Sequence, residues 1–225
     1  MKLTLPLILS FNAGYVDTAG FLSLHGLFTA HVTGNFVMIG DALAHGSAGI
    51  IGKLMALPVF CLTILILQSV ALRCATAPDR ALRTMLAVKI LLLTLAAVLA
   101  IRFGSFPDAD GWPVILVGMP LVAAMAVQNA AHRIHLASAP PSTLMTGTTT
   151  QIMLDIATLL YGAAPERPEV VRPRLTRLAL AVAAFALGCG LAALAFVTLG
   201  SWCFALPPVV ALIGIAVHHP EPKLA

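Results

Sequence analysis

Two polar tripeptides, Thr33-Gly34-Asn35 and Thr146-Gly147-Thr148, interrupt an otherwise apolar chain, and each precedes an acidic residue, Asp41 or Asp155, by nearly the same distance. Thr and Asn cap free backbone N–H groups at a helix start, and Gly lets a ligand approach the backbone closely. Where capping is partial, the remaining donors and the positive end of the helix dipole attract an anion or a polar group. The pattern predicts a substrate site between two helix starts. The alternative is that these residues only cap short helices and pack backbones tightly.

Acidic residues within apolar segments indicate a second kind of chemistry, because a charge at membrane depth usually faces the bundle interior or a water path. Asp17 is the foremost candidate, as a proton or cation carrier; the alternative is a permanently hydrogen-bonded acid that packs helices. Asp41 and Asp155 could pair across the two halves or lie at a wet edge. His31, two residues before Thr33, titrates near neutral pH and could gate or assist anion entry.

Gln128 and Asn129 end a predicted span with donors and acceptors but no charge. They suit a polar lining for substrate, or equally a hydrogen bond between helices. The sequence has no HExxH motif, no Cys/His cluster and no nucleophile elbow. We therefore expect no metal, no cofactor and no enzymatic activity.

The composition indicates an integral membrane protein, since 60% of the residues are hydrophobic, 10% are charged and the mean hydropathy is +0.98. Each of the apolar stretches approaches the roughly 20 residues that span hydrocarbon as a helix. They cover residues 54–72, 85–101, 112–127, 178–199 and 202–217, and a more polar sixth covers about 4–28. We expect an all-α protein with one transmembrane domain over residues 1–225.

The net charge of +4 comes from basic residues at helix ends, where it indicates orientation rather than contact with nucleic acid. With six crossings, Lys2, Lys223 and the two arginine-rich loops fall on one side of the membrane. That side is predicted to be the cytoplasm. We expect a bacterial inner-membrane protein with both termini inside and no nucleic-acid partner.

Residues 23–52 and 132–173 are too apolar for ordinary loops. Within them, residues 36–43 and 151–160 predict short helices of about half a bilayer, at ~1.5 Å per residue. Full crossings by both would move the arginines between residues 72 and 85 to the outer side. Re-entrant or half-membrane helices keep the charge rule intact.

The two halves repeat each other: Asp17 matches Asn129 at an offset of 112, Thr33 matches Thr146 at 113 and Asp41 matches Asp155 at 114. Three crossings per half is an odd number, so the second half would be inverted relative to the first. We predict inverted repeats over about residues 4–103 and 111–219. The alternative is that Thr-Gly pairs and single acids recur by chance.

Longer motifs contain these residues: GYVDTAGFL at 14–22, FTAHVTGN at 28–35, Gln128-Asn129-Ala130, and Met145-Thr146-Gly147-Thr148. Together they resemble the YoaK family of bacterial membrane proteins, over essentially the whole chain. The resemblance implies a six-helix-class inner-membrane protein whose biochemical role is largely unassigned.

The favoured function is a small-solute permease, because opposed helix starts offer donors to a small polar or anionic cargo. Membrane lipid is the other expected partner, and stretches of small residues permit a homo-oligomer. The competing class is a non-transporting membrane scaffold or assembly protein, in which the same polar residues only lock helices together.

Overall fold

The computed structural model describes residues 3–74, 77–161 and 167–217, and within these ranges it contains helices and no strand. Lys2 and Lys223, which enter the orientation argument, lie outside the described residues, as do residues 218 and 219 of the second predicted repeat. The helices are α1 Leu5–Ser23, α2 Gly34–His45, α3 Ile50–Cys74, α4 Pro78–Phe103, α5 Trp112–His135, α6 Met145–Tyr161, α7 Pro168–Leu199 and, after a 3-10 turn over Gly200–Ala205, α8 Leu206–Val217.

Four helical segments of the described chain are long and apolar enough to cross a membrane: Ile50–Arg73, Pro78–Phe103, Trp112–His135 and Pro168–Val217. The last combines α7, the 3-10 turn and α8. Large apolar side chains on these segments are exposed, as Leu65 is at 64% and Val197 at 79%, which suits contact with acyl chains rather than water. The prediction of an all-α chain with several membrane-crossing helices is confirmed.

The polar helix α1 lies in the interior and packs mainly against α7 and α8. Its Asn12 Nδ2 donates to the Pro207 carbonyl at 2.8 Å, and its Tyr15 hydroxyl donates to the Cys203 carbonyl at 2.9 Å. Both acceptors lie near the end of the chain. The polar residues that lower the hydropathy of α1 therefore attach it to the second half.

The helix neighbours in the first half recur in the second half. When α1, α2, α3 and α4 are matched in order with α5, α6, α7 and α8, three contacts have counterparts. The contact of α1 with α7 corresponds to that of α5 with α3, the contact of α4 with α5 to that of α8 with α1, and the contact of α2 with α3 to that of α6 with α7. Two further contacts, α1 with α5 and α4 with α8, join elements at equivalent places in the two halves.

The short helices differ in how well they were predicted. Helix α2 has 12 residues, about 18 Å at ~1.5 Å per residue, and contains the predicted stretch. Helix α6 has 17 residues and begins at Met145, before the predicted start at residue 151. The tripeptide Thr146-Gly147-Thr148 consequently lies inside the first turn of α6 and does not precede the helix.

Asp110, in the loop between α4 and α5, caps the N-terminal end of α3, although the two are far apart in sequence. Its carboxylate accepts the backbone N–H of Gly49 at 2.8 Å and of Ile51 at 2.9 Å. These bonds satisfy donors that a helix start leaves free. The Gly49 N–H, with that of Ile51, holds the pKa of Asp110 below its ordinary value.

Gly14 of α1 and Gly188 of α7 let the two helix backbones touch. A Cβ at Gly188 would overlap the Phe11 carbonyl, and one at Gly14 would overlap the Phe185 carbonyl, whereas a Cβ at Gly190 meets nothing within 4 Å.

Gly188→Ala is expected to destabilise the protein by about 1–3 kcal/mol, because the two backbones must separate to admit the methyl group. Gly190→Ala, on the same helix, is the control and should leave stability unchanged or slightly higher. Thermal unfolding of the purified protein in detergent measures the difference. Equal midpoints for the two variants would show that α1 and α7 do not cross this closely.

The depressed pKa of Asp110 makes its contribution to stability present above the unfolded pKa of about 4 and lost as the pH falls through the lower folded pKa. Asp110→Asn should remove this acid-dependent part while lowering stability near neutral pH, since one N–H loses its carboxylate acceptor. Unfolding midpoints of both proteins between roughly pH 3 and pH 7 test this prediction. Identical pH profiles would contradict the role of Asp110.

Candidate functional site

Asp17 organises the turn between α1 and α2. Its Oδ1 accepts the backbone N–H groups of Thr29 and Ala30, both at 2.7 Å, and the Thr29 hydroxyl at 3.2 Å. Its Oδ2 lies 2.6 Å from His31 Nδ1. The carboxylate is 5% exposed and lies six residues, about 9 Å at ~1.5 Å per residue, before the end of α1. The chain therefore folds back from the end of α1 to the depth of Asp17.

His31 links this turn to the second half of the chain. The hydrogen bond to Asp17 raises the pKa of His31 above its ordinary value; burial opposes the shift, and the nearby backbone of Thr143 supports it. The ring also stands edge-on to Phe185 of α7, with the centroids 5.7 Å apart. A partly buried imidazole thus lies between the two halves, with an acid on one side and a carbonyl on the other.

Asn129 makes the same type of contact in the second half that Asp17 makes in the first. Asn129 Oδ1 accepts the Thr143 hydroxyl at 2.7 Å, just as Asp17 accepts the hydroxyl of Thr29. The partners are separated by 12 residues in the first half and by 14 in the second. Asn129 Nδ2 is occupied by the Met125 carbonyl at 2.9 Å.

Gln128 is fully buried and makes three hydrogen bonds. Its Nε2 donates to the Leu9 carbonyl and to the Ser142 hydroxyl, both at 2.9 Å, and its Oε1 accepts from the ammonium group of Lys89. The adjacent pairs Gln128–Asn129 and Ser142–Thr143 connect these bonds to those around His31. Two hydrogen-bonded groups of polar residues, adjacent along the chain, therefore form a polar network between Lys89 and Asp17.

Sequence reasoning missed Lys89, Ser142 and Thr143. Lys89 is 0% exposed within a stretch predicted as nearly uninterrupted apolar helix. The signal was present, because a single Lys in the middle of a span is rare unless it faces the bundle interior. Ser142 and Thr143 lie before α6, and nothing in their local sequence indicates the residues that they contact.

Two cavities end on this network. The first, of about 170 Å³, is lined by Asp17, Thr18, Phe21 and Phe28. The second, of about 210 Å³, is lined by Asn129, His132, Arg133, Ala137, Ala139, Pro141, Thr143 and Leu144. Asp17 borders one cavity and Thr143 borders the other, and His31 contacts both residues.

In the first tripeptide, the Asn35 side chain and the backbone N–H groups already bond to the turn that precedes α2. Asn35 is 1% exposed, accepts the Phe28 N–H and donates to the Phe28 carbonyl, both at 2.9 Å. The backbone N–H groups of Gly34, Asn35 and Phe36 donate to carbonyls of residues 31–33. The predicted side-chain cap by Thr33 is wrong, because its exposed hydroxyl makes no such bond.

The second tripeptide is largely exposed. Thr146 and Gly147 face outward, and only Thr148 is buried, with its hydroxyl bonded to the Leu144 carbonyl at 3.0 Å. Helix α2 packs on α3 and α6 packs on α7, with no comparable packing of α2 on α6. The residues that the structure brings together from the two halves are thus His31 and Thr143, rather than the tripeptides. Binding at the tripeptides stays a prediction.

Asp41 and Asp155 lie in different surroundings. Asp41 is exposed and pairs with His45 on its own helix at 3.0 Å. Asp155 is 1% exposed. Its carboxylate accepts hydrogen bonds from Nε and Nη2 of Arg174, at 3.0 and 2.7 Å, and from the Gln151 amide at 2.8 Å. Each acid therefore bonds within its own half. Over the described ranges no group of three His, Cys, Asp or Glu could hold a metal ion.

Apolar helices of crossing length around a buried polar network define a multi-pass α-helical membrane protein. The chain belongs to the family described as "Protein of unknown function (DUF1275)", whose model matches residues 5–217. It is similar to the UPF0700 transmembrane protein YoaK of Bacillus subtilis (strain 168), with 29% identity over 194 residues that cover 85% of this chain and 83% of the relative. The expected resemblance to the YoaK family is confirmed. No solved structure matches the chain.

The contrast between Asn35 and Thr33 can be tested by truncation. Asn35→Ala leaves the partly buried Phe28 N–H and carbonyl without partners and should cost about 1–3 kcal/mol of stability. Thr33→Ala, two residues away, removes an exposed side chain and should cost less than about 0.5 kcal/mol. Thermal unfolding compares the two variants, and a larger loss from Thr33→Ala would reverse the assignment.

Proposed function

We propose that this protein is a small-solute permease of the bacterial inner membrane, in which the two cavities are entrances from opposite sides. The observation that carries the proposal is the position of His31. It contacts Asp17 at the end of one cavity and Thr143 at the end of the other, so it closes the path between them.

The proposal assigns the two halves to inverted repeats. Two observations support it: the recurrence of helix neighbours, and the matched hydroxyl bonds to Asp17 and Asn129. If α2 and α6 enter the membrane without crossing it, each half crosses three times, and α1 and α5 run in opposite directions. The first cavity follows the later part of α1 and opens outward, whereas the second follows the later part of α5 and opens inward.

The distribution of basic residues supports this orientation. With the alternation above, the start of α4, the end of α5 and the start of α7 lie on one side, and all three carry arginines. The excess of positive charge supports the assignment of that side, together with both termini, to the cytoplasm.

In the proposed cycle, the turn held by Asp17 is the moving part. A charged His31 is favoured by the carboxylate beside it, and proton transfer within this pair would weaken the attachment of the turn. Separation of His31 from Thr143 would then join the first cavity to the second. Asp17 is in this way a coupling residue, Asn129 is part of the polar wall that the solute meets, and Gln128 is buried next to it in sequence.

An apolar groove of about 410 Å³ lies between α1, α7 and α8 and is lined entirely by apolar side chains. Its position on the outside of the bundle suits acyl chains. We assign it to membrane lipid rather than to cargo, because it offers a polar solute no hydrogen-bond partner.

Flux into proteoliposomes tests the permease proposal, with urea, glycerol, nitrate and formate as probes. His31→Gln and Asp17→Asn should each change the flux of a transported probe at least tenfold, about 1.4 kcal/mol, because both break the closing contact. The control is His45→Gln, which alters an exposed His–Asp pair and should leave flux unchanged.

The same variants separate transport from a scaffold role. If the protein only locks helices together, wild-type vesicles will show no flux above empty vesicles, and the variants will only lower the unfolding temperature. That result would overturn the permease proposal.

A further inference from the structure

Lys89 is a buried lysine without a buried acidic partner. It lies in the middle of α4, is 0% exposed and donates to the amide oxygen of Gln128. Among the described residues no carboxylate lies within salt-bridge distance of it. An ammonium group in an apolar interior is costly unless it is paired, and a single amide oxygen only partly compensates it.

Hydrogen bonds link Lys89 to the neighbourhood of the inward cavity. Gln128, its partner, also donates to Ser142, and the residues next in sequence, Asn129 and Thr143, line that cavity. Gln128 is therefore the group that connects the ammonium group to the residues beside the cavity.

The inward cavity is suited to an anion. Its lining contains Arg133 and His132 and no acidic residue, so a cationic solute would find no counter-charge there. His132 Nδ1 is buried without a hydrogen-bond partner. Arg133 and His132 also offset the negative end of the α5 dipole, but that surface role does not explain the buried Lys89.

We propose that Lys89 is the counter-charge for a small anion in the transport path, and that Gln128 holds its ammonium group until the anion arrives. This assignment rests on the proposed permease function. It defines the cargo as a small anion that enters past Arg133 and replaces the Gln128 amide at Lys89.

Calorimetric titration of the full-length protein in nanodiscs tests the assignment, with nitrate, formate and phosphate as probes and urea as the neutral comparison. The wild type should bind at least one anion more tightly than urea. Lys89→Met should weaken that binding at least tenfold while the protein stays folded, because an apolar side chain of similar length tolerates this position. Lys53→Met is the matched control: Lys53 is also buried, but it donates to the His25 and Gly49 carbonyls and lines neither cavity, so anion affinity should be unchanged.

Gln128→Glu gives a second test that keeps Lys89 in place. A carboxylate at position 128 pairs permanently with the ammonium group, so the variant should lose anion binding even if Lys89→Met fails to fold. Wild-type anion affinity in either folded variant overturns the proposal. Binding of urea but of none of the anions by the wild type also overturns it.

The flux assay distinguishes this proposal from the one on which it rests. Urea or glycerol flux that persists in Lys89→Met vesicles, with no anion bound by the wild type, leaves a permease whose cargo is not an anion. Anion binding that depends on Lys89, without flux of any probe, contradicts the permease function and not the site.

Discussion

The bond of the Asp17 carboxylate to the backbone of residues 29 and 30 is the constraint on which the rest of the site depends. Away from water, a turn of irregular backbone is tolerated only when its N–H groups find acceptors. Asp17 supplies that acceptor from within α1, so the chain can fold back alongside the helix that it has just left. The same carboxylate fixes His31, which in turn approaches the second half at Thr143. One acidic side chain therefore borders the first cavity and holds the turn beside it.

The second half uses the same geometry with different charge. Asn129 replaces the acid, and a hydroxyl contact takes the place of the paired backbone donors. The buried positive charge nearest to it, Lys89, belongs to the first half and reaches across to Gln128. The halves thus match in packing but not in electrostatics, with a carboxylate beside one cavity and an ammonium group behind the other.

The sequence was sufficient for features that rest on composition and local pattern. The apolar helices and the polar residues Asp17, Gln128 and Asn129 were found because polar groups inside apolar runs are conspicuous. Lys89 was not found, because one lysine barely alters the average hydropathy of its segment. The partners of these residues could not be predicted from the sequence either. His31 and Thr143, and likewise Asp155 and Arg174, lie on separate elements, and no local pattern indicates which elements meet. The sequence predicted that the Thr33 side chain caps α2, but the N–H groups at the start of α2 donate instead to backbone carbonyls of residues 31–33. The Asn35 side chain, bonded to the backbone of Phe28, stabilises the turn together with Asp17.

The attachment of α1 has a consequence for how the chain is assembled in the cell. Its closest backbone neighbour is α7, and the acceptors for Asn12 and Tyr15 lie 195 and 188 residues further along. During synthesis the first helix therefore leaves the ribosome long before any of these partners exists. Its final docking on α7 is therefore a late event in biogenesis. A nascent chain that stops before α7 would hold an orphan helix, a natural target for membrane quality control.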